Sequence, residues 1–149
     1  MGADLYINTV YQPHYEKWNR ELEKAAKRRD TFKPEKSEHQ QAQAEVEEAF
    51  ERMHERGYFR DPYNNNDLLW KFGLSWWDDV IPMLDAEGNL SPAQAKKLMG
   101  MLKHNHAQFE ASLGKMSQAE RRYFLDRYAD LQKFLSEAIA LGEPIHASL

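Results

Sequence analysis

The chain has no cysteine among its 149 residues. That excludes a disulfide scaffold, a thiol nucleophile and a zinc–thiolate site. Long apolar runs are missing too, the longest being a few residues against the roughly 18 that suggest a membrane span. The opening residues, Met1-Gly2-Ala3-Asp4-Leu5-Tyr6, carry an early acid and no basic stretch, which argues against a secretory leader. Tyr6 also stands where a myristoylation motif starting at Gly2 needs serine or threonine. The expected setting is the cytoplasm, with no membrane partner. No Gly-rich phosphate loop, nucleophile elbow or His-Glu-x-x-His motif occurs.

Positive charge in excess is a further absence. The net charge is −4 with 30% charged residues, against the basic footprint of a nucleic-acid binder. One basic cluster exists, Lys24, Lys27, Arg28 and Arg29, and the stretch that follows it, Glu35 to Glu55, is predominantly acidic. Opposed helix faces of opposite sign favour pairing, so the two are expected to neutralise each other in an antiparallel pair.

What the chain does have is helical periodicity. Tyr15, Trp18, Leu22 and Ala25 recur at spacings of three and four, after Pro13 in a first-turn position and before Pro34. Ser37 with Gln40 has the form of a capping box, followed by Ala42, Val46, Ala49, Phe50 and Met53, with Gly57 as a left-handed stop. Ser91-Pro92 opens a third stripe, Ala95, Leu98, Met99, Leu102, His106, Phe109 and Leu113, ended by Gly114. Ser117 with Glu120 opens a fourth, through Phe124, Tyr128, Leu131, Phe134, Leu135 and Ala138 to Gly142. These signals predict an all-α single domain over residues 1–149, with long helices at about 12–30, 37–57, 92–113 and 118–141 packed as two antiparallel hairpins. A short strand at 3–7 is expected to need a partner, for which the Ile145–Leu149 tail is the candidate.

The segment between the hairpins reads differently. Seven aromatics fall between Tyr58 and Trp77, among the turn formers Asp61-Pro62, Asn64-Asn65-Asn66 and Gly73. Asn66-Asp67 is a candidate cap for a short helix through Trp70, and Ser75 with Asp78 for another limited by Pro82. Trp70, Phe72, Trp76 and Trp77 are expected to plug the bundle, since aromatics carry large buried areas. The competing reading makes this segment a recognition surface, because Tyr, Trp and Arg dominate binding hot spots.

Candidate chemistry is sparse. Glu51 and His54 have the Glu-x-x-His spacing of bundle metal sites, but there is no second copy and Glu51 lies opposite the apolar face. Asp85-Ala86-Glu87-Gly88-Asn89 resembles a calcium loop, but Leu90 and Lys96 occupy its essential glycine and glutamate positions. A tight turn is expected there instead, and no metal or cofactor is predicted. His106 and Arg127 sit on apolar faces, with His104 on the opposite side. A buried Arg needs a carboxylate, so Arg127 is expected to pair with Asp78 or Asp79, with Asp61 as a further candidate.

Two functions follow as expectations. The first is a small helical binding module, of adaptor, immunity or inhibitor type, contacting another protein through Tyr58, Phe59, Arg60, Tyr63, Asn64 and Asn65. The second is a small-molecule or hydrolase-like site assembled from Asp78, Asp79, His106 and Arg127.

Overall fold

The computed structural model describes residues 1–64 and 67–149. Helix accounts for 65% of the chain, so it is mostly helical, but a small antiparallel sheet of four strands stands where an all-α fold with a single strand was expected. Among the described residues no helix is long and apolar enough to cross a membrane. The chain divides into two compact units, one of residues 8–58 and one made from residues 1–7 with 59–149.

The first unit is an antiparallel helical hairpin, α1 (Asn8–Asp30) and α2 (Ser37–Arg52). α1 begins well before Pro13, which therefore lies inside it. Its ring nitrogen forfeits only the bond to the Thr9 carbonyl, and the other backbone bonds of the helix carry it through. The seam is built on small residues, with Ala25, Ala42 and Ala49 buried alongside Met53. Charge does pair across it, Arg28 with Glu45, while Arg29 donates to Gln43 at 2.9 Å. The Ser37–Gln40 capping box does not form, because the helix starts one residue early, with Lys36 at the cap, and the Ser37 hydroxyl turns to Glu38. α2 also stops at Arg52 instead of near Gly57, and Gly57 (φ +64°) serves the following turn. There His54 lies among the rings of Tyr11, Tyr15, Phe50 and Tyr58, with its Nδ1 3.1 Å from the Tyr11 hydroxyl.

The second unit carries the sheet. β1 (Gly2–Tyr6), β2 (Tyr58–Pro62), β3 (Asn89–Leu90) and β4 (Ile145–Ser148) lie in the order β2-β1-β4-β3. The C-terminal tail does pair with the N-terminal strand, Leu5 opposite Ala147 and Tyr6 opposite His146. Alternate residues are buried, among them Ala3, Leu5, Phe59, Asp61, Ile145 and Ala147, as a sheet covered on one face requires. The turn at Asp85–Asn89 is the tight one expected, the Asp85 carboxylate accepting from Glu87 N and Asn89 N at 2.9 Å each.

The helices of this unit are α3 (Leu68–Lys71), α4 (Pro92–His104), α5 (His106–Leu113) and α6 (Gln118–Leu141), with a π-helical turn at Trp76–Val80 running into a 3₁₀ turn at Ile81–Met83. The stripe at 92–113 is thus two helices, not one. Asn105 leaves helical geometry (φ −95°, ψ 13°), and its side-chain amide donates to the Phe72 carbonyl at 2.8 Å. Ser91 and Ser117 cap their helices as expected, accepting from Gln94 N and Glu120 N. α6 ends on left-handed Gly142. Phe72, stacked on Phe109 at 4.3 Å, packs beside Tyr128 and joins α3, α5 and α6 in one aromatic core.

Candidate binding surface

A buried acid organises the aromatic segment. β2 alternates Phe59 and Asp61 toward the protein interior, leaving Asp61 1% exposed. Its carboxylate accepts from Leu68 N at 2.8 Å, Leu69 N at 3.3 Å and the Trp76 indole nitrogen at 2.7 Å. One side chain therefore ties β2 to the first turn of α3 and to the start of the π-helical turn. Burial pushes the Asp61 carboxyl from 3.8 up to about 7, against the lowering effect of the Leu68 and Trp76 hydrogen bonds, and the neighbouring Asp67 carboxyl adds to the rise. Asp67 itself caps α3, accepting from Trp70 N at 3.2 Å. Ser75 caps the π-helical turn through Trp77 N and Asp78 N, and Asp79 returns the bond to Ser75 N at 2.8 Å. Tyr63 follows β2 with its hydroxyl buried and without a hydrogen-bond partner among the described residues, and burial pushes its pKa up.

These fixed points divide the aromatics into two sets. Phe72 and Trp76 are buried as expected. Trp70 and Trp77 are not, at 68% and 53% exposed. Trp77 lies against Tyr63 at 6.1 Å between ring centroids. Trp70 lines an open groove of about 590 Å³ with Lys71, Gln108, Ala111, Ser112, Lys115, Met116 and Glu120. The groove's wall is anchored, since the Ser112 hydroxyl donates to the Lys71 carbonyl at 3.2 Å and the Lys71 ammonium lies 5.1 Å over the Phe124 ring. Gln108 reaches across to Gly73, where an added Cβ would meet its amide at 2.5 Å.

The segment expected to present itself is largely used inside the fold. Tyr58 is half-buried beside His54, Phe59 is buried, and Tyr63 is half-buried. Arg60 and Asn64 are exposed, and Arg60 pairs with Asp4 at 2.9 Å. Asn65, and Asn66 of the expected helix cap, lie outside the described residues.

Asp79, His106 and Arg127 have separate partners, and none of them is Asp78. Asp78 is exposed, Asp79 caps the π-helical turn, and His106 sits 3.5 Å from Glu110. The Arg127 expectation is corrected. Its guanidinium lies 4.4 Å over the Phe59 ring, donates to the Arg60 carbonyl, and reaches Asp130 on its own helix at 3.5 Å. A main-chain oxygen and an aromatic face satisfy a partly exposed Arg that was assumed to need an acid from the middle segment. Among the described residues, no three His, Asp or Glu side chains gather as metal ligands.

The groove residues Lys71, Lys115 and Met116 escaped sequence reasoning because α3 spans one turn, too short for a stripe that says which way Trp70 faces. No family model, curated protein or solved structure matches this chain.

Proposed function

We propose that the chain is a small helical binding module that acts by contact with another protein, and that Trp70 and its groove are the contact face. The observation that carries this reading is Trp70, a large apolar side chain 68% exposed on a backbone held from both ends. Asp61 fixes the two residues before it and Asp67 its own N–H, so the ring is displayed by structure and not left over at a loose end. Tryptophan is enriched at the energetic centres of interfaces, and preorganised display lowers the entropy cost of binding. Gln108, Ser112 and Glu120 supply the polar rim that such centres have.

The test compares wild type, Trp70→Ala and Leu125→Ala as baits in the native host, with quantitative mass spectrometry. Leu125 is 50% exposed on α6 and does not line the groove. The expected result is a partner retained by wild type and Leu125→Ala and lost by Trp70→Ala, with melting temperatures unchanged. Equal capture by all three would overturn the reading.

A further inference from the structure

The groove has a charge character that goes further than Trp70 alone. Its two cations, Lys71 and Lys115, come from different elements, α3 and the α5–α6 turn. Neither has a carboxylate within ion-pair distance among the described residues, whereas six lysine or arginine side chains elsewhere among them do. The one acid in the groove, Glu120, accepts from the Ser117 hydroxyl at 2.9 Å, so two cations stand against a single carboxylate. The same groove is lined by apolar surface, the Trp70 ring, Ala111 and Met116. The groove is therefore locally cationic on a chain whose net charge is −4.

Resting on the contact face proposed above, we infer that the groove takes an acidic peptide segment carrying an apolar anchor side chain. The anchor packs between Trp70 and Met116, where a flexible thioether adapts to the shape presented. Carboxylates on either side of the anchor meet Lys71 and Lys115. Lys71 is suited to this because the Phe124 ring beneath it orients its ammonium without neutralising it. The overall negative charge repels acidic partners that lack the anchor, so apolar and ionic contacts are both required.

The test uses the 149-residue chain, ¹⁵N-labelled, and follows the Trp70 indole N–H resonance. Three probe peptides are titrated: Leu-Phe flanked by glutamates, Leu-Phe flanked by lysines, and Gly-Gly flanked by glutamates. The first should shift the resonance saturably, with affinity falling as salt is raised. The other two should not. Lys71→Glu with Lys115→Glu should weaken the first peptide by about tenfold or more and bring in the lysine peptide. Lys115→Glu alone, at an exposed position, should give a partial effect and guards against a folding defect in the pair.

Equal binding of the acidic and lysine peptides, or no response to the charge reversals, overturns the acidic partner. So does a Trp70 resonance that moves with protein concentration alone, which would make a second copy the occupant. A host partner lost on Trp70→Ala but indifferent to both lysines would leave the contact face standing and remove only its charge preference. A partner indifferent to Trp70→Ala removes the contact face itself.

Discussion

Replacing Asp61 with asparagine should change how stability depends on pH. The wild-type carboxyl is pushed from 3.8 to about 7 in the folded protein, chiefly by burial. A carboxyl whose folded value is raised binds its proton more tightly in the native than in the unfolded state. Its contribution is therefore complete below pH 4 and is lost as pH rises through 7. At about 1.4 kcal/mol per pH unit, the span from 3.8 to about 7 corresponds to on the order of 4 kcal/mol. That is an upper figure, since residual structure around Asp61 in the unfolded chain narrows the difference. Asp61→Asn cannot titrate, and it also lacks the second acceptor oxygen, leaving one N–H donor facing an amide at a cost of about 1–3 kcal/mol. Wild type should thus exceed the variant most at pH 4, and that margin should shrink steadily to pH 8. Urea unfolding followed by circular dichroism at half-unit pH steps measures it directly. A margin that stays flat from pH 4 to 8 would show that Asp61 ionises normally in the fold, one that grows with pH would show its value lowered, and either would refute the burial argument.

Further outcomes follow from local geometry. Ser117→Ala removes the α6 cap, so stability should fall by about 1 kcal/mol, readable as a drop of a few degrees in melting temperature. Gly142→Ala should cost about 1 kcal/mol by thermal unfolding, and the cost is one of backbone conformation alone, because an added Cβ at φ +66° meets nothing within 4 Å. Arg127→Met loses its contact with the Phe59 ring and its bond to the Arg60 carbonyl, an expected loss of about 1–2 kcal/mol in urea unfolding. Adding Asp78→Asn to Arg127→Met should change nothing further, because Arg127 is held by the Arg60 carbonyl, the Phe59 ring and Asp130; a coupled effect would restore the pairing corrected above.

The legible parts of this fold were those governed by neighbours in sequence. Ser91 and Ser117 sit a fixed three residues from the N–H groups they cap, so their helix starts could be read directly. Alternation at residues 3–7 and an apolar tail were enough to suggest the β1–β4 pair. Where the deciding contact is distant, reading failed. β2 looked like a turn because Asp61-Pro62 is turn chemistry, and a buried acid at an inward position broke the strand pattern. What makes that acid tolerable is a set of donors seven, eight and fifteen residues away. The break at Asn105 depends on the Phe72 carbonyl, 33 residues back. The candidate site was legible only as a region. In the segment rich in aromatics the exposed rings are Trp70 and Trp77, both assigned to the core, while Phe59 and Tyr63 turned inward.

The path of the chain through the sheet has an architectural consequence. β1 and β2 are neighbours, with Tyr63 N bonded to Met1 O and Arg60 paired with Asp4, so the end of β1 and the start of β2 lie side by side. Everything between them, residues 7–57, leaves the sheet and returns to the adjacent strand. Topologically the helical hairpin is an insertion into what would otherwise be a β-hairpin, and a short turn of the two-residue kind can bridge such a gap. The remaining strands, Asp61 with its donors, and the Trp70 groove all belong to the part that stays behind. The hairpin can therefore be lengthened or shortened at the turn between α1 and α2, residues 31–36, without a strand of the sheet being cut.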